Sequence, residues 1–301
     1  MGGNDFVKPL QYLKVNTKLW GKDGLSNIIN YYNNVRRQDQ YLVNNDYTIN
    51  THLFKKLINE MAKHEDKAMK LLYKKMLNVR PMKNKEKNRN PIEKNIADFE
   101  HNYYLLPTNP YHEEYKDEFK KINYNLPYLQ WKKQYYNHFF NSNINIKNIC
   151  SIYIKSLFFS FYYYLSGIPP SWRWTYPFRV SPLLSDLRIY LRNVNDINIL
   201  NKWELNEPFF PLEQLFMIIS PKNVKLLSTS YQKAMLNPPL NIYYPSTITL
   251  DVVSGGKYAY SEPILPEIEH ENILKKLKTL KLTKTDNNRN QLILEPYIYG
   301  C

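Results

Sequence analysis

An apolar stretch from Ile149 to Leu165 constrains the fold of this chain more than any other part of its sequence. Aromatic and aliphatic residues fill the stretch, but Lys155 and three serines interrupt it. A helix that spans a bilayer needs about 20 mostly apolar residues, so this stretch is slightly short for that role. A helix that is apolar on nearly all sides lies in a protein core. We therefore predict a helix over residues 144–165 that is buried on most of its sides.

Apolar residues recur at helical spacing in several other parts of the chain. The helices predicted from this spacing cover residues 25–35, 51–76, 213–219, 222–236 and 269–280. In the first of them, Leu25, Ile28, Ile29, Tyr32 and Val35 recur at this spacing. A different pattern follows from Thr247 to Val252, where polar and apolar residues alternate before Gly255-Gly256. It predicts a small β-hairpin near residues 247–260, so the fold class is mainly α with one hairpin.

Residues 81–96, PMKNKEKNRNPIEKNI, contain almost no apolar side chains and mix positive with negative charge. Such a composition cannot form a packed core and is typical of an exposed linker. We therefore predict a linker here, between a first part at 1–80 and a larger domain at 97–280. A polar and then aliphatic tail follows at 281–301.

The chain is strongly basic, with 41 Lys and Arg against 27 Asp and Glu and a formal net charge of +14. This balance favours an acidic partner, most simply RNA or DNA. The alternative is a solvated basic surface that binds no anion. Abundant Asn, Lys, Ile and Tyr are also what an AT-rich genome encodes, so composition alone leaves both interpretations open.

The two cysteines, Cys150 and Cys301, indicate neither a disulfide framework nor a zinc site, which favours a reducing compartment. The start MGGNDF lacks the apolar core of a secretory signal. We expect an intracellular protein with no membrane association, in the cytoplasm rather than the nucleus because no basic localisation cluster is visible.

The segment from Ser171 to Leu187, SWRWTYPFRVSPLLSDL, combines aromatic and basic residues between prolines. Aromatic faces stack nucleic-acid bases, each worth about 1–3 kcal/mol, and guanidinium groups neutralise phosphates. We call it the Trp/Arg segment, and its candidate RNA-binding residues are Trp172, Arg173, Trp174, Tyr176 and Arg179. The alternative is a buried corner in which the aromatic rings cap a core.

This segment resembles the S-W-x-W-Y-Y-P-Y-H-Y-A-P-x-x-S-D-L stretch of the Xrn family of 5′→3′ exoribonucleases. Further blocks resemble that family in the same order: Trp131 to Tyr136, Ile149 to Tyr153, Tyr162 to Gly167, Glu207 to Leu215, Ile242 to Pro245, Leu250-Asp251 and Ile264 to Pro266. The resemblance implies the multi-helix fold of the Xrn helical domain. It also implies that one tryptophan of the segment stacks on a base near the 5′ end of RNA, without settling which. Arg179 stands where the family has His.

Gly3-Asn4-Asp5-Phe6 resembles the G-N-D-F motif that closes the nuclease domain of that family. By the resemblance, Asp5 is the last metal-binding carboxylate of a two-metal Mg²⁺ site, and residues 1–80 hold the end of the nuclease domain and the first helices. Two-metal hydrolysis needs several acidic ligands. We therefore expect most Mg²⁺ ligands, and the pocket for the 5′-monophosphate, on a missing half that another chain could carry.

The function that the resemblance implies is the helical half of a 5′→3′ exoribonuclease, acting on 5′-monophosphorylated single-stranded RNA and not catalytic alone. Two alternatives stay open: a non-catalytic RNA-binding module, and a structural scaffold that binds no RNA. Three other polar sites have structural interpretations. We expect Asp186 to cap the following helix, Glu213 to be a buried group that braces the Trp/Arg segment, and His64-Glu65-Asp66 to lie on a solvated helix face.

Overall fold

The computed structural model describes residues 1–15, 17–78, 90–92, 112–140, 144–251 and 262–292. The chain forms two compact units, and neither is continuous in sequence. The first unit consists of Met1–Arg80 and Glu118–Asn206, and the second of Pro81–Asp117 and Glu207–Cys301. Helices dominate the described residues of both, which confirms the mainly α fold.

The first unit contains five α-helices and three short 3-10 helices among its described residues. The α-helices are α1 Gly24–Val35, α2 Thr51–Asn78, α3 Tyr128–Phe139, α4 Ile146–Ser166 and α5 Leu184–Arg192. The 3-10 helices are Gln11–Leu13, Glu118–Lys121 and Ile197–Leu200. One hydrophobic core joins residues from all five α-helices.

Helix α4 is the apolar helix that the sequence predicts. It begins after Asn145, whose side chain accepts a hydrogen bond from the backbone N–H of Lys147. It ends at Gly167, which has a φ of +73°, a left-handed conformation that glycine adopts at helix ends without steric cost. Ile149, Tyr153 and other residues along its length are completely buried. Across the described ranges, we find no helix with both the length and the apolar content to cross a membrane.

Helix α1 forms where the sequence predicts it, but two of its apolar residues are exposed. Leu25 and Ile29 are 53% and 49% exposed, whereas Asn27 and Tyr31 are buried. The Asn27 side chain donates to two backbone carbonyls of the preceding loop. The Tyr31 ring stacks on His64 of α2, with ring centroids 5.2 Å apart. Ile28, Tyr32 and Val35 also pack against the core, so of the five residues at helical spacing only Leu25 and Ile29 stay on the exposed side.

The second unit has its own core among its described residues, in which Phe216, Met235 and Ile273 are fully buried. Its α-helices are α6 Pro211–Ile218, α7 Thr229–Leu236, α8 His270–Leu277 and α9 Lys284–Arg289, with 3-10 helices at Pro221–Leu226 and Leu240–Tyr243. The single helix predicted at 222–236 is divided in two, because extended backbone at Leu227 separates Pro221–Leu226 from α7. The helix α9 falls in the predicted tail.

A three-stranded sheet of order β1-β2-β3 completes the second unit, with β1 at His112–Lys116, β2 at Ile248–Asp251 and β3 at Glu262–Ile264. Strands β2 and β3 pair antiparallel, so the predicted antiparallel pair is confirmed. Gly255-Gly256 lies outside the described residues. The sequence did not predict β1, which pairs with β2 in parallel.

Of the predicted linker at 81–96, the structure describes only residues 90–92, and all three are exposed. The division into 1–80, 81–96, 97–280 and 281–301 stays a prediction.

Candidate nucleic-acid interface

The Trp/Arg segment is irregular up to Leu183 and then enters α5. Its prolines explain the lack of regular structure, because proline restricts the backbone and offers no N–H to a helix or sheet. Ser171 at its start is buried, and its hydroxyl donates to the Asn206 side chain over 2.9 Å. Tyr135 on α3 donates from its hydroxyl to the Ser181 carbonyl over 2.7 Å. The segment is therefore held at both ends by hydrogen bonds of the first unit.

The two tryptophans of the segment occupy different environments. Trp172 is 45% exposed. Trp174 packs edge-on against Trp203, with ring centroids 5.4 Å apart. The Lys155 ammonium lies 5.0 Å from the Trp174 ring and 4.8 Å from the Trp203 ring. Trp174 is thus part of a packed cation–π cluster, whereas Trp172 offers an accessible aromatic face.

The hydroxyl group of Tyr176 is held in place by a hydrogen bond. The hydroxyl donates to the Val180 carbonyl over 2.9 Å. The ring packs edge-on against Tyr153 of α4 and against Phe178. Burial raises the pKa of the Tyr176 phenol well above its ordinary value. The phenol is therefore neutral and holds the shape of the segment.

Arg173 and Arg179 are both partly exposed. Each already has an interaction partner in the fold.

The structure brings Asp5 together with part of the Trp/Arg segment. A cavity of about 150 Å³ is lined by residues 4–8 and by Trp174, Thr175 and Tyr176. The Asn4 side chain accepts from the N–H groups of Phe6 and Val7, and this turn leaves Asp5 exposed at the cavity. Trp172, Arg173 and Arg179 do not line it, so the predicted site residues divide into two groups.

The described residues do not by themselves fit the two-metal site that the resemblance implies. Among them, we find no group of three or more His, Cys, Asp or Glu side chains that could hold a metal ion. Asp5 supplies one exposed carboxylate, and Lys8 lines the same cavity. Two-metal hydrolysis needs several acidic ligands around ions about 3.5–4 Å apart.

Asp186 does not cap α5, which corrects the prediction. It lies within the first turn of the helix, and its carboxylate accepts from Lys132 Nζ over 2.5 Å and from the Tyr136 hydroxyl over 2.7 Å. The backbone N–H of Leu183 donates to the same Tyr136 oxygen. Side chains of the W-K-x-x-Y-Y block on α3 therefore fix the point where the Trp/Arg segment becomes helical. The sequence did not predict this role of Lys132 and Tyr136, although the block that contains them resembles the Xrn family.

Glu65, rather than Asp186, caps α5. The prediction that His64-Glu65-Asp66 lies on a solvated helix face is therefore wrong for Glu65. Glu65 is 3% exposed, and its two oxygens accept from the N–H groups of Leu184 and Ser185. Burial raises the pKa of Glu65 to about 7. The hydrogen bonds from Leu184 and Ser185 favour the charged form and lower this pKa, but the effect of burial is larger. Asp66 accepts from the Trp131 indole over 2.8 Å. The neighbouring residues thus join α2 to α3 and α5.

Glu213 is buried, as predicted, but its hydrogen bond is local. Its carboxylate accepts from the Phe210 N–H over 3.0 Å at the start of α6, in the second unit. Among the described residues it caps its own helix, and the expectation that it braces the Trp/Arg segment stays a prediction.

Comparison with known proteins identifies the family. The family described as the Xrn1 helical domain matches residues 104–298. The 5′-3′ exoribonuclease 1 of Saccharomyces cerevisiae is 27% identical over 184 residues, which are 58% of this chain and 12% of that protein. The human 5′-3′ exoribonuclease 1 is 30% identical over 143 residues, 46% of this chain and 8% of that protein. The 5′-3′ exoribonuclease 2 of Gallus gallus is 29% identical over 171 residues, 54% of this chain and 17% of that protein.

The matched regions span less than a fifth of these relatives. The family match, however, covers more than half of this chain and contains the Trp/Arg segment with the α3 residues that anchor it. On these grounds, the chain belongs to the Xrn1 helical domain family.

Proposed function

We propose that this chain forms the helical part of a 5′→3′ exoribonuclease and binds 5′-monophosphorylated single-stranded RNA. Membership of the family supports the reaction class, because its relatives are 5′-3′ exoribonucleases. The net charge of +14 supports an anionic ligand.

The observation that carries the proposal is the exposed ring of Trp172 on a segment anchored at both ends. Trp172 is 45% exposed, while Ser171 beside it is buried and hydrogen-bonded. A base that stacks on a ring already held in place loses less entropy than one that must order a mobile loop. Trp172 would therefore stack on a base, and Trp174 would keep the segment in shape.

The hydrolytic chemistry needs more than the described residues offer. Bound Mg²⁺ ions would supply the activation of water and stabilisation of phosphoryl charge. Asp5 offers one carboxylate at the cavity that it shares with Trp174. We propose that the other ligands belong to a nuclease domain, either elsewhere on the same polypeptide or on a separate chain.

The test is the affinity of the chain for labelled single-stranded RNA. Replacement Trp172→Ala should weaken binding about 5- to 150-fold, the equivalent of one lost stacking contact. Trp20→Ala is the matched control, because Trp20 is 42% exposed in the same unit but lies outside the segment. Equal effects of the two replacements would contradict the stacking role.

A second assay addresses catalysis. The chain alone should not degrade 5′-phosphorylated RNA in the presence of Mg²⁺. Robust digestion that Asp5→Ala abolishes would show that the other metal ligands are within this chain.

A non-catalytic RNA-binding module is the second candidate, and the single exposed carboxylate of Asp5 favours it. The two candidates differ in one outcome. Addition of the nuclease region of a relative should restore digestion only if this chain retains the helical part of an enzyme.

A further inference from the structure

One face of α2 carries a row of lysines that the site described above does not use. Lys56, Lys63, Lys67, Lys70 and Lys74 follow each other at spacings of seven, four, three and four residues. With 3.6 residues per turn, these five positions fall within an arc of about 60° and extend over about 27 Å of the helix. We call this row the lysine ridge.

The lysine ridge lies opposite the buried face of α2. Leu57, Met61 and Ala68 on that opposite face are almost completely buried. On the ridge, Lys67 and Lys74 are exposed, and the side chain of Lys63 is 54% exposed. Lys56 and Lys70 are half-buried, so the three exposed ammonium groups of Lys63, Lys67 and Lys74 are the most accessible to a ligand that lies along the helix.

Carboxylates neutralise only part of the ridge. Lys63 pairs with Glu60 over 2.5 Å, and Lys70 pairs with Asp66 over 2.9 Å. Within the part of the chain that the structure describes, Lys56, Lys67 and Lys74 have no ion-pair partner. The ridge thus alternates between paired and unpaired ammonium groups along its length.

The spacing of the ridge works against the helix itself. Lys63 and Lys67, and likewise Lys70 and Lys74, are four residues apart, where like charges repel each other and destabilise a helix. A bound polyanion would relieve this repulsion. Ammonium groups are compact point charges without the planar fork of arginine, so they suit single phosphates along a backbone.

We propose that the lysine ridge binds the phosphate backbone of single-stranded RNA, independently of base sequence. This inference rests on the proposed function, since it assigns a second contact with the same class of ligand. Phosphate contacts fix the position of a strand but carry no sequence information. Trp172 would hold a base, and the ridge would hold the backbone elsewhere on the strand.

Salt dependence separates these two contributions. Each phosphate contact with a single strand lowers the slope of log affinity against log salt by about 0.7. The variant Lys56→Gln/Lys67→Gln/Lys74→Gln should therefore reduce the magnitude of that slope by about 2 for labelled single-stranded RNA, measured over about 50–200 mM KCl. The matched control is Lys133→Gln/Lys147→Gln/Lys202→Gln, which removes the same charge from exposed lysines elsewhere in the first unit.

The ridge is supported if the magnitude of the slope falls in the first triple variant and not in the control, with neither variant unfolding below the wild-type temperature. An equal change of slope in both variants, or none in either, overturns it. If RNA binding depends on Trp172 while the ridge variant keeps the wild-type slope, the ridge fails and the proposed function stands. If the wild-type chain does not bind RNA, both proposals fall.

Discussion

The carboxylate of Glu65 accepts a hydrogen bond of 2.5 Å from the backbone N–H of Leu184, although 119 residues separate the two in sequence. Leu184 is the first residue of α5, and Leu183 before it has no side-chain acceptor to cap the helix. The second Glu65 oxygen accepts from Ser185 over 3.0 Å. The helix α2 thus provides the cap of α5, directly after the Trp/Arg segment.

Replacement Glu65→Ala should lower the free energy of unfolding by about 2–6 kcal/mol, because it leaves two buried N–H groups without acceptors at about 1–3 kcal/mol each. Urea titration followed by circular dichroism would measure the loss. Asn59→Ala, at an exposed position of the same helix, should stay within about 0.5 kcal/mol of the wild type. Similar losses in both variants would show that the cap contributes little.

The raised pKa of Glu65 gives the stability a defined pH dependence. Burial moves this pKa from an ordinary value of 4.5 to about 7 in the folded state. Between these values the folded state binds the proton and the unfolded state does not, so this group stabilises at low pH and its contribution falls as pH rises. The loss is at most about 1.4 kcal/mol per pH unit.

The Glu65→Gln variant isolates this effect, since an amide does not titrate in this range and keeps one oxygen acceptor. The unfolding free energy of the wild type minus that of the variant should decrease by roughly 3 kcal/mol from about pH 4.5 to about pH 7 and stay constant above it. A difference that is flat over this window, or that increases, would mean that Glu65 is charged in the fold throughout.

The cation–π cluster predicts a cost for removing one charge. Lys155→Met keeps the aliphatic stem but removes the ammonium that lies between Trp174 and Trp203. The unfolding free energy should decrease by about 1–2 kcal/mol, and tryptophan fluorescence should change because the charge beside both rings is lost. Lys133→Met, at an exposed position of α3, serves as the control. Equal unfolding free energies for the two variants would show that the cation–π cluster does not stabilise the fold.

Gly24 offers a test in which helix propensity and packing predict opposite results. Alanine is the better helix former by about 1 kcal/mol. A Cβ at Gly24, however, would overlap the backbone carbonyl oxygens of Leu13 and Lys14. Gly24→Ala should therefore destabilise the chain, by about 1–3 kcal/mol if the backbone has to shift, whereas Asn33→Ala on the exposed face of α1 should be neutral or better. A thermal midpoint that rises for Gly24→Ala would contradict the contact.

Much of the helical architecture could be predicted from the sequence, because apolar spacing directly reports which residues a helix buries. This holds for α4, where nearly every face is apolar, and for α8, where Ile273, Leu274 and Leu277 are buried as expected. In α1 it held for Ile28, Tyr32 and Val35 but not for Leu25 and Ile29, because the neighbouring face with Asn27, which is bound to backbone carbonyls, is the buried one.

The site was less predictable, because its polar contacts join residues that are far apart in sequence. Glu65 looked solvated among polar neighbours, and its acceptor role depends on Leu184 and Ser185. Likewise, the sequence marked both tryptophans of the Trp/Arg segment but did not distinguish them. Only the position of Lys155 and Trp203 shows that Trp174 is the packed ring.

The interleaved order of the two units has a consequence for synthesis on the ribosome. The first unit needs residues from both Met1–Arg80 and Glu118–Asn206. Until α5 emerges, the nascent chain therefore holds Glu65 without its backbone partners and lacks the helix that covers this part of α2. The first unit has all of its residues once Asn206 is released, while the second still awaits most of its own. We expect the first unit to become protease-resistant at that length.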